Sequence, residues 1–258
     1  MIHSNTFIHP EAKIGKNVTI EPFAYIDKDV EIGDGTWVGP NACIWQGARI
    51  GKNCKIFSGA QVSCEPQDLK FEGEITTTEI GDHTTIREFV TISRGTSDRM
   101  MTKIGSHCLL MAYVHIAHDC FLGDHVILSN SVQVAGHVTI DDFTVIGGTA
   151  AVRQFVRIGA HTMIAGGSLV RKDVPPFVTA AREPLGYSGI NAIGLKRRGF
   201  TTSQLNEIQE IYRTIFLSDL NTTKAVEKIK EDFNTSTEKE TILTFIENSE
   251  RGIIKGVE

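Results

Sequence analysis

Residues 104–140 read IGSHCLLMAYVHIAHDCFLGDHVILSNSVQVAGHVTI, and this stretch decides the fold. A large aliphatic residue returns at every sixth position, from Ile104 through Ile116 and Val134 to Ile140. A helix would place apolar residues three and four apart, and an alternating strand would place them two apart. A strict spacing of six instead indicates short strands joined by corners, with three hexads in each coil of 18 residues.

The same step of six extends in both directions from this stretch. It continues to Val170, and toward the N terminus it holds over residues 8–62 and 80–92 without a change of phase. If Ile, Leu and Val make up roughly a quarter of residues, chance produces such a run with a probability on the order of 10⁻¹⁵. The position four residues after each aliphatic is mostly small or β-branched and supplies a second inward side chain. Residues 8 to about 175 are therefore predicted to form a parallel β-helix with Gly, Asn and Asp at its corners.

Two segments, 65–78 and 95–102, lack the pattern although the phase continues across them. We expect both to be loops that project from corners, where functional residues often lie. After Pro175-Pro176 the hexads stop, and the pattern predicts helices near 190–198, 203–217, 223–233 and 237–249, the second capped by Thr202 or Ser203. The predicted domains are a β-helix over 1–188 and a helical domain over 189–258 that covers the open end of the coil.

The composition limits the class of protein. The chain is 41% hydrophobic and 22% charged, as in ordinary globular proteins, and no segment approaches the roughly 18 apolar residues of a membrane span. Five cysteines without C-x-x-C spacing suggest neither a disulfide framework nor a thiolate metal site. A net charge of −5 argues against nucleic-acid binding. These features predict a cytoplasmic protein that neither enters a membrane nor binds nucleic acid.

The coil spacing predicts which residues are neighbours in space. Positions 18 apart lie one above the other, at about 4.8 Å, so His118, Gly136 and Gln154 form one column. Asp119 stands beside His118, and His137 beside Gly136. A histidine with an adjacent carboxylate suits removal of a proton from a hydroxyl, and the Gly136 N–H could stabilise an oxyanion. The column therefore predicts transfer of an acyl group to a hydroxyl.

Other interpretations of the histidines remain open. Corner histidines of a solenoid are usually solvated, and that is how we interpret His83, His107, His125 and His161. Three imidazoles, those of His115, His118 and His137, are also a familiar zinc-binding set.

Five motifs connect the chain with a known family: Pro66-Gln67-Asp68-Leu69-Lys70, His115-Ile116-Ala117-His118-Asp119-Cys120, Ala135-Gly136-His137-Val138, Asp173-Val174-Pro175-Pro176 and Gly194-Leu195-Lys196-Arg197-Arg198-Gly199-Phe200. With these motifs the sequence resembles the bacterial UDP-N-acetylglucosamine 3-O-acyltransferases that begin lipid A synthesis, which belong to the hexapeptide-repeat acyltransferases. The resemblance covers nearly the whole chain. It implies a left-handed parallel β-helix with a C-terminal α-helical domain, and a homotrimer with sites between subunits. It implies no cofactor and no metal.

The resemblance also implies roles for individual residues. His118 would deprotonate the glucosamine 3-hydroxyl, which attacks the thioester of a 3-hydroxyacyl carrier protein, while Asp119 orients His118 and the Gly136 N–H holds the oxyanion. Further residues would contact the sugar or the acyl chain, namely Asp68, Lys70, His115, His137 and Gln154. Asn191 and Arg197 would bind the nucleotide half. Gly166 falls where the family measures acyl length, or is simply a corner residue.

The chain departs from the family at two positions. Arg153 stands where a histidine commonly precedes Gln-Phe, on the acyl or carrier-protein side, and Ile193 stands where an acidic residue is common, on the sugar-nucleotide side. Acyl carrier proteins are acidic, so a basic surface is expected to dock the carrier. The candidates are Arg153, Arg157, Arg171, Lys172 and Lys196-Arg197-Arg198.

Three rival functions remain. A zinc hydratase on the same fold would use the three histidines as ligands. The N-acyltransferase that acts later in lipid A synthesis would carry an extra domain before the hexads, which here begin at residue 8. An ice-binding or scaffold solenoid would need regular outward ladders, and the outward positions here are irregular.

Overall fold

The computed structural model describes residues 1–256 and contains a three-faced coil with helices at its C-terminal end. The first face is a nine-stranded sheet, the second has eight strands and the third has eleven. Within each face, consecutive rungs of the coil pair in parallel. The parallel β-helix predicted from the hexads is therefore confirmed.

The strands are short and follow the hexads. In chain order they are β1 Phe7–Ile8, β2 Lys13–Ile14, β3 Thr19–Ile20, β4 Tyr25–Ile26, β5 Glu31–Ile32, β6 Trp37–Val38, β7 Cys43–Ile44, β8 Ala48–Ile50, β9 Lys55–Ile56, β10 Gln61–Cys64, β11 Thr77–Ile80, β12 Thr85–Ile86, β13 Thr91–Ser93, β14 Met101–Ile104, β15 Leu109–Leu110, β16 His115–Ile116, β17 Phe121–Leu122, β18 Ile127–Leu128, β19 Gln133–Val134, β20 Thr139–Ile140, β21 Val145–Ile146, β22 Ala151–Val152, β23 Arg157–Ile158, β24 Met163–Ile164, β25 Leu169–Val170, β26 Val178–Ala181, β27 Gly186–Ile190 and β28 Lys255–Gly256.

The register places like positions of successive coils on top of each other. Ile116 pairs with Val134, and Val134 pairs with Val152 one coil further on. The first two side chains are fully buried and Val152 is 3% exposed. The second inward position is buried as well, as at Val132 and Val138. Both predicted inward positions therefore fill the interior of the prism.

The corners are held by backbone and carboxylate hydrogen bonds. Asp124 Oδ1 accepts from Ser106 N at 2.7 Å, and Asp142 Oδ1 accepts from Asp124 N at the same distance. The residue that follows each of these aspartates has a left-handed backbone, with φ of 58° at His125 and 59° at Phe143. Each corner thus turns the chain and ties one coil to the next.

The outward side of the second face carries charges of alternating sign. Lys13, Glu31, Arg49, Glu79 and Lys103 are in register on successive coils. Lys13 and Glu31 form an ion pair of 2.7 Å on this surface. Opposite charges on neighbouring strands suit a face that is exposed to solvent.

Both predicted interruptions are loops, although they are shorter than expected. The first ends before β11 at Thr77, and the second spans residues 94–100 before β14 begins at Met101. The sequence prediction placed the end of each loop two residues too late, because the last residues of the predicted loops already pair in parallel, as Thr78 does with Ala48.

The coil continues past Pro175-Pro176, where the hexads were expected to end. Ile164 on β24 pairs with Ala180 on β26, so this last turn contains 16 residues instead of 18. The coil then finishes with β27, antiparallel to β26, and β28, parallel to β27. Because β27 spans Gly186–Ile190, one sheet crosses the boundary predicted at 188/189. That boundary stays a prediction.

Four helices follow, α1 Ala192–Arg197, α2 Thr202–Phe216, α3 Thr222–Asp232 and α4 Thr237–Glu247. Thr201 caps α2 and forms a capping box with Gln204, so the predicted cap at Thr202 or Ser203 was wrong. The fully buried Tyr212 of α2 donates its hydroxyl hydrogen to the Pro176 carbonyl and anchors the helices on the end of the coil. Within residues 1–256, no helix has the length and apolar character needed to cross a bilayer.

Candidate active site

The candidate site lies at the corner between the first and second faces, which we call the His118 corner. Its residues stand in two neighbouring columns, His118, Gly136 and Gln154 in one and Asp119, His137 and Phe155 in the other. The second column has left-handed backbone, with φ of 58°, 62° and 66°. His137 N donates to His118 O, and Phe155 N donates to Gly136 O, both at 3.1 Å. The coil therefore stacks the candidate residues rung upon rung.

His118 and Asp119 form a buried pair. The Nδ1 atom of His118 lies 2.7 Å from Oδ2 of Asp119, and the two residues are 7% and 0% exposed. Burial by itself would raise the pKa of Asp119, but hydrogen bonds from His118, Thr96 and Arg99 outweigh it and lower the pKa from 3.8 to about 2. An ionised Asp119 accepts a hydrogen bond from a protonated Nδ1 of His118, and in the neutral imidazole this leaves the Nε2 lone pair for another partner.

Gly136 brings backbone against the ring of His118. A Cβ at this position would lie 2.8 Å from both Cε1 and Nε2 of His118, which leaves room for glycine only. Among residues 1–256, the Gly136 N–H donates to no protein acceptor. The structure thus places a free backbone donor next to the face of the His118 ring.

His137 is 8% exposed and lies between two rings. Phe155 stacks on it at 4.5 Å, and His118 meets it edge-on at 5.0 Å. Asp98 Oδ2 is 2.9 Å from Nδ1 of His137 but is not aligned for a hydrogen bond. His137 is therefore held by packing more than by hydrogen bonding.

A groove of about 710 Å³ opens in front of these residues. Its walls include Asp68, Lys70, His115 and Gln154, all predicted from the resemblance. His115 projects from β16 on the first face and hydrogen-bonds Thr91 at 2.7 Å. Burial and the nearby His118 lower the pKa of His115 below 6.5. Asp68 Oδ2, on the loop before β11, lies 3.8 Å from Nε2 of His118, so Nε2 faces the groove.

The other predicted residues lie elsewhere in the chain. Gly166 stands between β24 and β25, at the far edge of the first face. Asn191 donates to His161 O at 2.8 Å, and Arg198 donates to Phe143 O at 3.1 Å, so both lie at the corner between the second and third faces. Arg197, on α1, is exposed. One chain therefore does not bring these residues to His118.

The basic residues predicted to dock the carrier also lie at different corners of the coil. Arg153 and Arg171 are exposed and stand 18 positions apart in the column next to that of His118, and Lys172 lies one coil beyond Gln154 in the His118 column itself. Arg198 is half-buried, with its guanidinium 5.2 Å from the Phe143 ring centroid, and burial lowers its pKa. Arg198 does not share the surface of the other three within one chain.

The sequence interpretation missed the residues that hold Asp119. Thr96 and Arg99 belong to the loop at 94–100, and both donate backbone N–H groups to the carboxylate. The available signal was the break in the hexads, which falls one coil before His118. A loop that replaces a corner directly beneath a candidate residue is well placed to contact it.

Among residues 1–256, the predicted zinc ligands His115, His118 and His137 do not come together as one set, and Asp119 takes the place of His115 in the group that has ligand spacing. His118, Asp119 and His137 offer three ligand atoms within 4.8 Å of one another. However, both oxygens of Asp119 already accept hydrogen bonds from Thr96, and Oδ2 also accepts from His118. A metal on Asp119 and on Nδ1 of His118 would have to break these contacts, because ligand atoms sit about 2.0–2.2 Å from zinc.

Comparison with known families agrees with the fold. A model described as UDP N-acetylglucosamine O-acyltransferase, domain 2, matches residues 173–254. A model of the bacterial transferase hexapeptide, six repeats, matches residues 29–64 and 101–136.

Individual relatives extend this likeness to the whole chain. An acyl-carrier-protein UDP-N-acetylglucosamine O-acyltransferase from Trichlorobacter lovleyi is 49% identical over 259 residues, covering 99% of each chain. One from Chlorobaculum parvum is 59% identical over 192 residues, covering 74% of this chain and 73% of the relative. Among solved structures, a UDP-N-acetylglucosamine acyltransferase from Bacteroides fragilis is 49% identical with a TM-score of 0.98, covering 99% of this chain and 100% of the other. The chain belongs to the UDP-N-acetylglucosamine O-acyltransferase family and has its fold, a left-handed parallel β-helix followed by C-terminal helices.

Proposed function

We propose that this enzyme transfers a 3-hydroxyacyl chain from acyl carrier protein to the 3-hydroxyl of UDP-N-acetylglucosamine, the first step of lipid A synthesis. The observation that carries the proposal is the buried His118–Asp119 pair, whose free Nε2 atom faces a groove beside an unpaired Gly136 N–H. Membership of the family supplies the substrate class. A cytoplasmic location is part of this proposal.

The reaction needs one base and one oxyanion donor. His118 Nε2 takes the proton of the sugar hydroxyl while the hydroxyl oxygen forms a bond to the thioester carbon. The carbonyl oxygen becomes an oxyanion and accepts a hydrogen bond from Gly136 N–H. The carbon–sulfur bond then breaks, and the proton on His118 passes to the departing sulfur of the carrier. Asp119 stabilises the imidazolium between the two proton transfers.

The substrates are assigned to the groove and its neighbourhood. Asp68, Lys70, His115, His137 and Gln154 would contact the sugar or the acyl chain. Asp68, Lys70, His115 and Gln154 line the same groove, which supports this assignment. His137 lies beside that lining, against the ring of His118. Gly166 would limit the acyl chain at the far edge of the first face. Asn191 and Arg197 would bind the nucleotide half, where a guanidinium suits the diphosphate.

A homotrimer explains how distant residues reach one site. Asn191 and Arg197 lie at a different corner from His118, so in our proposal a neighbouring subunit supplies them. The third face supports this arrangement, because its outward positions on four successive coils are apolar. These are Leu109, Ile127, Val145 and Met163. An apolar stripe of this kind is typical of a covered surface, in contrast to the charged second face.

The carrier protein would dock beside the site. Arg153, Arg171 and Lys172 form a basic surface next to the groove, and an acidic carrier is attracted to such a surface even though the enzyme has a net charge of −5. Arg198 would act with the nucleotide half of the site rather than in this surface.

The test is a transfer assay with product identification. Purified enzyme is incubated with UDP-N-acetylglucosamine and a panel of 3-hydroxyacyl carrier proteins of different chain length, and the product is mapped by NMR. We expect a single ester at the 3-hydroxyl and a preference for one chain length. Acylation of nitrogen, or no transfer from any carrier together with stoichiometric zinc in the protein, would contradict the proposal.

A further inference from the structure

The coil is interrupted directly beneath Asp119. At ordinary corners, the N–H of the left-handed residue donates to a carbonyl of the coil below, as His137 does to His118 and Phe155 to Gly136. Asp119 has no such partner, because the loop at 94–100 replaces that corner, and its N–H donates instead to Thr102 Oγ1 at 2.9 Å. Because the loop replaces the corner, its own hydrogen-bond donors can face Asp119 on the next coil.

Those donors converge on the carboxylate of Asp119. Thr96 Oγ1 donates to Oδ2 at 2.6 Å, and Thr96 N lies 3.0 Å from Oδ1 and 3.2 Å from Oδ2. Arg99 N adds a bond of 3.1 Å to Oδ1. Thr96 is 6% exposed, so these bonds are shielded from water. Within residues 1–256, only Thr96 hydrogen-bonds to both carboxylate oxygens.

The loop itself has little freedom to move. Thr76 Oγ1 donates to Gly95 O at 2.6 Å, and Met100 N donates to Thr96 O at 2.9 Å. A Cβ on Gly95 would lie 2.2 Å from Met101 N, so only glycine permits this close turn. Thr96 is therefore presented to Asp119 in one fixed orientation.

We propose that Thr96 is a positioning residue for acyl transfer: it fixes the Asp119 carboxylate and so forces the proton of His118 onto Nδ1. This inference rests on the proposed function, in which His118 Nε2 must be unprotonated to act as the base. The competing acceptor is Asp68, whose Oδ2 lies 3.8 Å from Nε2. If Asp119 turns away, Asp68 can draw the proton to Nε2 and block the base.

The experiment measures the position of that proton and the reaction rate together. Imidazole ¹⁵N spectra of histidine-labelled enzyme, assigned with a His118→Gln variant, report which nitrogen of His118 is protonated. We expect Nδ1–H in the wild type and a mixture of both forms in Thr96→Val. In the same variant kcat should fall about tenfold, the effect of a hydrogen bond to a charged group, with KM for UDP-N-acetylglucosamine nearly unchanged. Thr96→Ser keeps the hydroxyl and should behave like the wild type.

Thr144→Val is the matched control, because it removes a buried hydroxyl that donates to Gly159 O at another corner of the coil, away from Asp119 and its loop. Wild-type His118 protonated at Nε2, Thr96→Val with unchanged spectrum and kcat, or Thr144→Val as damaging as Thr96→Val would each overturn the proposal. If Thr96→Val fails to fold, a lost Nδ1–H signal in Thr96→Ser overturns it equally. If the wild type transfers no acyl chain but Thr96→Val still loses the fixed proton position, the proposed function fails while the positioning by Thr96 stands.

Discussion

At the scale of single residues, the contact between His118 and Gly136 determines what the corner can do. One rung of the coil brings the backbone of Gly136 so close to the imidazole that a Cβ would lie 2.8 Å from Nε2. The base and the oxyanion donor of the proposed reaction are therefore positioned by the same rung. A shift of about an ångström in the Gly136 backbone would therefore also move the His118 ring away from the reacting atoms.

We expect Gly136→Ala to lower kcat by about a hundredfold, because the methyl group pushes His118 out of the geometry in which it reacts. The measurement is steady-state transfer at saturating substrates, with circular dichroism to verify folding. Gly148→Ala is the control, since Gly148 occupies the same hexad position at another corner and its nearest contact would be 3.2 Å. Equal rates for Gly136→Ala and Gly148→Ala would contradict this account of the corner.

The sequence predicted this residue-scale geometry only where the hexads are unbroken. Counting in steps of 18 stacks His118 on Gly136 without any structure. Thr96 and Arg99 lie in a segment whose path the spacing does not specify, so their contacts with Asp119 could not be predicted. Distances within a repeat can be counted, whereas distances across a loop depend on its fold.

At the scale of elements, the corner between the second and third faces carries a continuous stack of rings. His83, His107, His125, Phe143 and His161 follow one another at 4.6–4.9 Å. The first three imidazoles are exposed. His161 is different, because Phe177 covers its other face and Phe200 meets it edge-on at 5.2 Å. The prediction that all four histidines are solvated is therefore wrong for His161.

The stack predicts a pH dependence of stability. Burial, together with nearby Arg198, lowers the pKa of His161 from 6.5 to about 4. Between these two pH values the unfolded chain binds more protons than the folded chain, so stability is lost as pH falls from 6.5 toward 4. The loss should reach on the order of 2 kcal/mol, after allowance for the partial exposure of the ring.

His161→Phe should remove this loss while keeping the ring stack. Urea unfolding midpoints at fixed protein concentration, measured at pH 7 and at pH 4.5, provide the test. His125→Phe makes the same change at an exposed position of the stack and should leave the wild-type pH dependence in place. A His161→Phe variant as sensitive to pH as the wild type would refute this role of His161.

The boundaries of elements were less predictable than their presence. Thr201, Thr202 and Ser203 can all cap a helix, and only the partnership with Gln204 selects Thr201. Pro175-Pro176 indicated the end of the coil, yet a shortened turn carries β26 onto the third face. A turn of 16 residues breaks the period of six, so the repeat alone could not reveal it.

At the scale of the whole molecule, the candidate residues occupy three different corners of one prism. His118 stands at one, Gly166 at the second, and Asn191 with Arg198 at the third. One chain therefore holds all the proposed parts of the site without assembling them. Which corner meets which neighbour depends on the packing of subunits, which the periodicity of a single chain does not encode.

The basic surface should govern carrier binding and not sugar binding. We expect the double variant Arg171→Glu, Lys172→Glu to raise the apparent KM for acyl carrier protein about tenfold or more at low salt, with little change for UDP-N-acetylglucosamine. Arg213→Glu is a matched control, because Arg213 and Arg171 have similar exposure and each pairs with a glutamate at 2.7 Å. An unchanged KM for the carrier in the double variant would exclude this surface as its docking site.

Removal of the His118 side chain tests most directly whether His118 is the base of the acyl transfer. The rate of transfer to UDP-N-acetylglucosamine at saturating substrates should fall at least about a hundredfold in His118→Ala, with the folded state and the oligomer intact by circular dichroism and ultracentrifugation. A folded His118→Ala enzyme that works at a near-normal rate would contradict the account.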